Sequence, residues 1–235
     1  MIAPRRPFAI LVMLSVLTGL LLAMCGAPSA VPDDAPVAPP TATPAPEAEY
    51  VAVPAGDGVA AFRVGRTEVT NAQYAQCVAA GACTVPGTYD GGGCHYNSPA
   101  YAEHPVVCVT REQARAYATW AGGSLLTEAQ WTRACQGDDG RTHSWGNQPP
   151  DATLANYNSN ESDTTAVGSY PAGASPFGAV DMAGNVAEWV DDGDFVARGG
   201  AFFDGKGSMV CAARLEVGYD RGGSFVGFRI VSPGP

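Results

Sequence analysis

Positive charge is scarce in this sequence. Its 235 residues hold one lysine, Lys206, and 13 lysines and arginines against 23 acids, for a formal net charge of −10. A surface this acidic repels phosphate backbones, which argues against nucleic acid as a partner. It suits calcium or a basic partner, and it equally suits plain solubility. Histidine is almost as rare. His95, His104 and His143 follow no chelating spacing, so neither zinc nor iron is expected. No internal repeat is visible. Beyond residue 137 the chain has little regular periodicity: Gly, Asn, Pro and Ser dominate, with short apolar runs such as "TAVGSY" and "FVGFRIV". These runs are expected to form short strands among long ordered loops. Loops with so little ladder to hold them need another constraint, and disulfides or metal ions are the usual agents.

The one long apolar run is N-terminal. Arg5 and Arg6 precede "FAILVMLSVLTGLLLAM", and Cys25 follows. Residues 1–24 read as a secretory signal, because the run is short and no stop-transfer charge follows it. "LLAMC" resembles the bacterial lipobox and makes Cys25 the expected lipidation site, although Met24 is bulkier than the usual residue there. Simple secretion and an uncleaved anchor are the alternatives. All three place the rest of the chain outside the cytoplasm, secreted or in the cell envelope. Removing the leader takes away two arginines and no acid, which moves the formal charge from −10 to −12. Residues 25–49 are rich in Pro and Ala with almost nothing to bury, so they form a semi-extended spacer. The folded domain is expected over residues 50–235.

Six cysteines then remain: Cys77, Cys83, Cys94, Cys108, Cys135 and Cys211. An even number in an oxidising compartment favours disulfides, but counting does not choose the pairs. Three helices announce themselves by one device. "TNAQ" at Thr70, "TREQ" at Thr110 and "TEAQ" at Thr127 share the Thr-x-x-Gln spacing of a capping box. Each precedes a short segment with apolar residues at helical spacing, and "AGGS" and "GDDG" supply stops after the second and third.

Several stretches occur in a telling order: "FRVGRTEVTNAQYAQCV", "HPVVCVTREQARAYATWAGGSLLTEAQWTRACQG", "WGNQPP" with "ANYN", "VGSYPAGASPFGAVDMAGNVAEWVDD", "RGGAFF", "CAAR" and "GFRIV". Over about residues 50 to 232 the chain resembles the formylglycine-generating enzyme, or sulfatase-modifying factor, family. The resemblance implies an α+β fold with few short helices and short antiparallel strands, related to C-type lectin-like folds, and bound calcium. The family's oxidases convert a sulfatase cysteine to formylglycine with copper and two active-site cysteines. At the matching places this chain holds Asp204 and Lys206. The cysteine of "CAAR" is structural in the family and pairs with one at the end of the "TEAQW" helix, which implies Cys135–Cys211. A second long-range bridge of the family falls on Ala118 and Ile230, so both of its halves are missing. The remaining cysteines pair most simply as Cys77–Cys83 and Cys94–Cys108.

Copper(I) needs soft thiolates and would find no free pair, so copper is not expected. Calcium takes carboxylate and carbonyl oxygens in irregular loops. The resemblance places one calcium on the side chains of Asp181 and Glu188 with the carbonyls of Gly184 and Val186. A second would use Asn156, the carbonyl of Tyr157 and an acid that fits Asp163. Without the resemblance these acids read as a solvated face and a polar loop. Lys206, flanked by Gly205 and Gly207, reads as an exposed lysine; with Asp204 it lines the expected remnant of the substrate groove. Trp120, Trp131, Trp145 and Trp189 read as packing residues, and Arg229 as a buried arginine bonded to backbone or carboxylate. The expectation is a calcium-stabilised binding module for a peptide, protein or glycan outside the membrane, held there by lipid alone. The alternative is a formylglycine-generating oxidase or another protein-modifying enzyme.

Overall fold

The three Thr-x-x-Gln sequences each start a helix in the computed structural model, which describes residues 49–87, 93–193, 195–218 and 222–232. The leader, Cys25 and almost all of the spacer lie outside the described residues. Helices α1 (Asn71–Ala79), α2 (Arg111–Trp120) and α3 (Glu128–Gln136) follow Thr70, Thr110 and Thr127. In all three boxes the threonine oxygen accepts from the glutamine N–H and the glutamine side chain accepts from the threonine N–H. Two of the four orphan donors at each helix start are thereby satisfied locally. Gly137, at φ 67°, ends α3 in a conformation that favours glycine.

Among the described residues, eight short strands build two four-stranded sheets. In the first, β1 (Tyr50–Val53), β2 (Phe62–Gly65), β8 (Ile230–Ser232) and β3 (Ser124–Leu125) lie side by side, all antiparallel. Val64 stands opposite Val231, and Leu125 opposite Ile230. The second runs β6 (Arg214–Glu216), β5 (Val196–Arg198), β4 (Ala187–Trp189), β7 (Val226–Gly227). Its β4–β7 pair is parallel. The C-terminal run "FVGFRIV" thus supplies one strand to each sheet and ties them together through the chain.

"TAVGSY", expected as a strand, is loop instead. Its backbone donors go to side chains and a distant carbonyl rather than to a neighbouring strand. Thr165 N–H donates to Asn185 Oδ1, Val167 N–H to the Glu103 carbonyl and Gly168 N–H to Asp181 Oδ2. With those donors used, no ladder forms.

Among the described residues, two of the four buried apolar clusters hold the buried tryptophans and the three helices. One gathers Tyr74, Tyr117, Trp189 and Phe228 under α1 and α2, and the other gathers Trp131, Val64, Leu126 and Met182 around α3. Ala118 and Ile230 both belong to the first, so ordinary packing occupies the place of the family's missing bridge. Trp131 and Trp189 are fully buried, whereas Trp120 and Trp145 are half-buried at the edges. Among the described residues, Cys77–Cys83, Cys94–Cys108 and Cys135–Cys211 are the three disulfides, with Cα atoms 5.3, 5.8 and 5.8 Å apart.

Candidate functional site

Three carboxylates and one guanidinium meet in the interior between the sheets. Glu188 stands on β4, and Arg229 immediately precedes β8. Arg229 Nε donates to both Glu188 oxygens at 2.9 and 2.8 Å, and Nη2 donates to Oε1 at 2.6 Å. Its other donations go to the carbonyls of Gly65, Arg66 and Val180. Glu188 Oε2 also accepts from Trp131 Nε1 at 2.9 Å. Burial disfavours the guanidinium's charge, but Glu188, Glu68 and Asp181 together outweigh it and raise its pKa. The expected buried arginine is therefore present, with carboxylate and backbone partners both.

The other two acids are less well served. Glu68 is 1% exposed; its Oε1 accepts from Asn185 Nδ2 at 3.1 Å, and its Oε2 has no partner. Burial first, then the neighbouring Asp181, lifts its carboxyl well above the usual range against the pull of Arg229. Asp181 Oδ2 takes the Gly168 N–H at 2.6 Å, and burial raises its pKa also. Fully ionised, the cluster would carry three negative charges against one positive. Such an excess is untenable in a low-dielectric interior unless protons or a cation offset it.

The loop between Asp181 and Asn185 is wound tightly. Asp181, Gly184 and Asn185 have φ of 56°, 80° and 60°. A Cβ on Gly184 would fall 2.2 Å from the Asn156 carbonyl, so only glycine permits this approach. Asp181, Gly184, Val186 and Glu188 are all buried on this one turn and strand. Among the described residues no three His, Cys, Asp or Glu side chains form a chelating group by themselves. A cation here would need carbonyl oxygens, which calcium accepts readily. The charge excess suits a hard dication, but the unpartnered oxygen belongs to Glu68, and both Glu188 oxygens are taken by Arg229 and Trp131, so Glu188 would have to release a partner to join a cation.

The second group is divided. Asn156 is buried with its Oδ1 unpartnered, while its Nδ2 donates to the Asp163 carbonyl. The Asp163 carboxylate is engaged elsewhere. Oδ2 lies 2.9 Å from His95 Nε2 and accepts from the Tyr101 hydroxyl at 3.0 Å, and Oδ1 accepts from Thr164 N–H. The carbonyl of Tyr157 accepts from Asn160 N–H. Asn156 therefore fits a cation, whereas Asp163 would have to leave His95 to join it.

The segment after β5 carries Asp204 and Lys206, where the resemblance puts the oxidases' thiols. Gly199 and Gly200, at φ 94° and 73°, turn the chain out of the strand. Asp204 Oδ2 accepts from Ala201 N–H at 2.9 Å, and its carbonyl accepts from Asn158 N–H, so this side chain closes a turn. Lys206 is exposed, as expected. Phe203 is 46% exposed and packs edge-on against Phe202 and Phe225, with ring centres 5.1 and 5.4 Å away. Cys211 is fully buried and bonded to Cys135, and its carbonyl accepts from Arg198 Nη2 at 2.8 Å.

Two features of the site had little signal in the sequence. Glu68 lies beyond the end of β2 at Gly65, past a bend, so no strand period marks it as buried. The His95–Asp163–Tyr101 group joins residues more than 60 positions apart, beyond any local pattern. The ring of His95 also stacks on Tyr101 at 3.8 Å.

The Sulfatase-modifying factor enzyme 1-like domain matches residues 41–233, and the chain belongs to that family. Hercynine oxygenase of Mycolicibacterium smegmatis is 34% identical over 158 residues, covering 56% of this chain and 37% of that enzyme. Formylglycine-generating enzyme of Mycobacterium tuberculosis is 40% identical over 99 residues, covering 37% of this chain and 33% of that one. The chain thus spans little more than a third of the length of these curated relatives. Among solved structures, PvdO from Pseudomonas aeruginosa superposes with a TM-score of 0.60 at 23% identity, over 78% of this chain and 91% of that one. That likeness establishes the fold.

Proposed function

We propose that this chain is a binding module on the formylglycine-generating-enzyme scaffold, stabilised by calcium and lacking the thiol–copper oxidation of its oxidase relatives. One observation carries the reading. Every described cysteine is closed in a disulfide, and the places of the oxidase thiols hold Asp204 and Lys206. Cys211 in particular is bonded to Cys135 and inaccessible to solvent. Without a thiolate pair, soft copper(I) has no ligand set at this place.

Calcium belongs at the Asp181–Glu188 turn, with the carbonyls of Gly184 and Val186. There it would offset the carboxylate excess and hold the wound loop against Asn156. The partner is a peptide, protein or glycan met outside the cytoplasm, on the face bearing Phe203, Asp204 and Lys206. A lipid on Cys25 and the Pro/Ala-rich spacer would present that face away from the membrane.

The competing reading is modification of a protein or small-molecule substrate, favoured by similarity to proteins named as an oxygenase and a formylglycine-generating enzyme. One experiment separates the two. The protein is expressed with copper present, and its copper content and free thiols are measured by mass spectrometry without reduction. The expected result is no stoichiometric copper and no free thiol at Cys135 or Cys211. Bound copper together with a free Cys211, and conversion of a sulfatase-type cysteine peptide, would overturn the proposal.

A further inference from the structure

The three disulfides differ in access. Of the six described cysteines only Cys94 is not buried. It lines a cleft of about 330 Å³ with Val85, Pro86, His95 and Tyr96 on its walls. The sulfurs of Cys77–Cys83 and Cys135–Cys211 belong to residues between 0% and 7% exposed. Thiol–disulfide exchange needs an open approach to one sulfur, so access ranks the bridges.

The residues around Cys94 and Cys108 are held without their bond. Asn71 Nδ2 donates to the Tyr101 carbonyl, and the N–H groups of Asn71 and Ala72 donate to the carbonyls of His104 and Ala102. His95 is fixed to Asp163, and Tyr96 packs edge-on against Tyr74. Cys108 N–H donates to the Gly223 carbonyl, and its own carbonyl accepts from Gly87. The bond can therefore open while the fold stays closed. Cys108 also has φ 61°, a left-handed backbone that a non-glycine residue rarely adopts, and opening the bridge gives that strain a way to relax.

The chemistry has a direction. Cys108 is 2% exposed, packed with Val107 and Val186, so an incoming group meets Cys94 first. His95 stands next to Cys94 in sequence and lines the same cleft. Its Nε2 is committed to Asp163, and its ring stacks on Tyr101, so it is a fixed wall of that cleft.

We propose that Cys94–Cys108 is a thiol-exchange site for a thiol-bearing ligand, either a small thiol or a cysteine-containing peptide. The ligand thiolate attacks Cys94 Sγ and forms a new S–S bond with it. The Cys94–Cys108 bond breaks, and its electron pair leaves on Cys108 Sγ, which takes up the proton the ligand gave up. A second ligand thiol then attacks the mixed disulfide. This releases the ligand as its disulfide and leaves Cys94 and Cys108 reduced, the two electrons coming from the two ligand thiols. The site is separate from Cys211, so the copper and thiol result at Cys211 decides the binding-module reading independently.

The test uses the folded protein with its disulfides intact. It is exposed in parallel to glutathione and to a short cysteine-containing peptide, quenched with an alkylating agent, and mapped by mass spectrometry. Far-UV circular dichroism follows the fold. The expected result is an adduct on Cys94 with Cys108 alkylated, formed about tenfold faster than Cys77–Cys83 opens, with the spectrum unchanged. Reaction with glutathione alone identifies a small-thiol site, and reaction with the peptide identifies a peptide site. Opening no faster than Cys77–Cys83, an adduct on Cys108, or loss of the fold during opening would each overturn the proposal.

Discussion

Glu68 and Asp181 sit where the interior carries more negative charge than Arg229 can offset. Replacing Glu68 by Gln keeps an acceptor for Asn185 Nδ2 and removes one buried charge. In a chelator at neutral pH, Glu68→Gln should stabilise the domain by about 1 kcal/mol or more, since it replaces a buried group with an unpartnered oxygen. The pH dependence has a definite sign. The folded-state pKa of Glu68 is raised, so ionisation opposes folding above that pKa and has no effect once pH falls below the unfolded value. The advantage of Glu68→Gln should be greatest above the raised pKa, shrink as pH falls from there toward the unfolded-state value, and vanish below it. Urea titrations of both proteins across that range, with and without calcium, check it. If calcium binds at this turn, the wild-type protein should gain more from it than the variant does, because the variant has less charge to offset.

At the scale of elements, the three capping boxes are the part of the fold most completely written in local sequence. Each satisfies two backbone donors within four residues, so no tertiary contact was needed to foresee it. Thr127→Ala should cost about 1 kcal/mol in urea denaturation, and Thr127→Ser only a few tenths. Helix α3 gives that cost global reach. It carries Trp131, whose indole N–H reaches Glu188, and Cys135, which is bonded to Cys211. The Glu128 N–H at its start also bonds the Asp192 carboxylate. "TAVGSY" is the opposite case. Its residues have the composition of a strand, but Asp181 and Asn185 take two of its N–H groups from the far side of the site. Short strands depend on what lies beside them, and composition alone does not report it.

For the whole molecule, long-range covalent closure has to substitute for extensive regular structure. Cys135–Cys211 closes a separation of 76 residues and Cys77–Cys83 one of 6. In the chain-entropy picture the long bridge is worth about 4–5 kcal/mol and the short one about 2. Cys135→Ala with Cys211→Ala should therefore shift the urea midpoint well beyond Cys77→Ala with Cys83→Ala, and an equal shift would show that strain or residual structure governs instead. The acidic composition, the three helix starts, the six cysteines beyond Cys25 and the ordered motifs that mark the family are legible in the chain alone. These are local or additive properties, readable from composition and from spacings of a few residues. It takes the tertiary fold to bring Glu68 to Asp181, Glu188 and Arg229, to turn the Asp163 carboxylate to His95 and Tyr101 rather than to Asn156, and to leave Cys94 lining a cleft. Those outcomes rest on contacts between residues tens of positions apart, where burial and competition for hydrogen-bond partners decide the pairing.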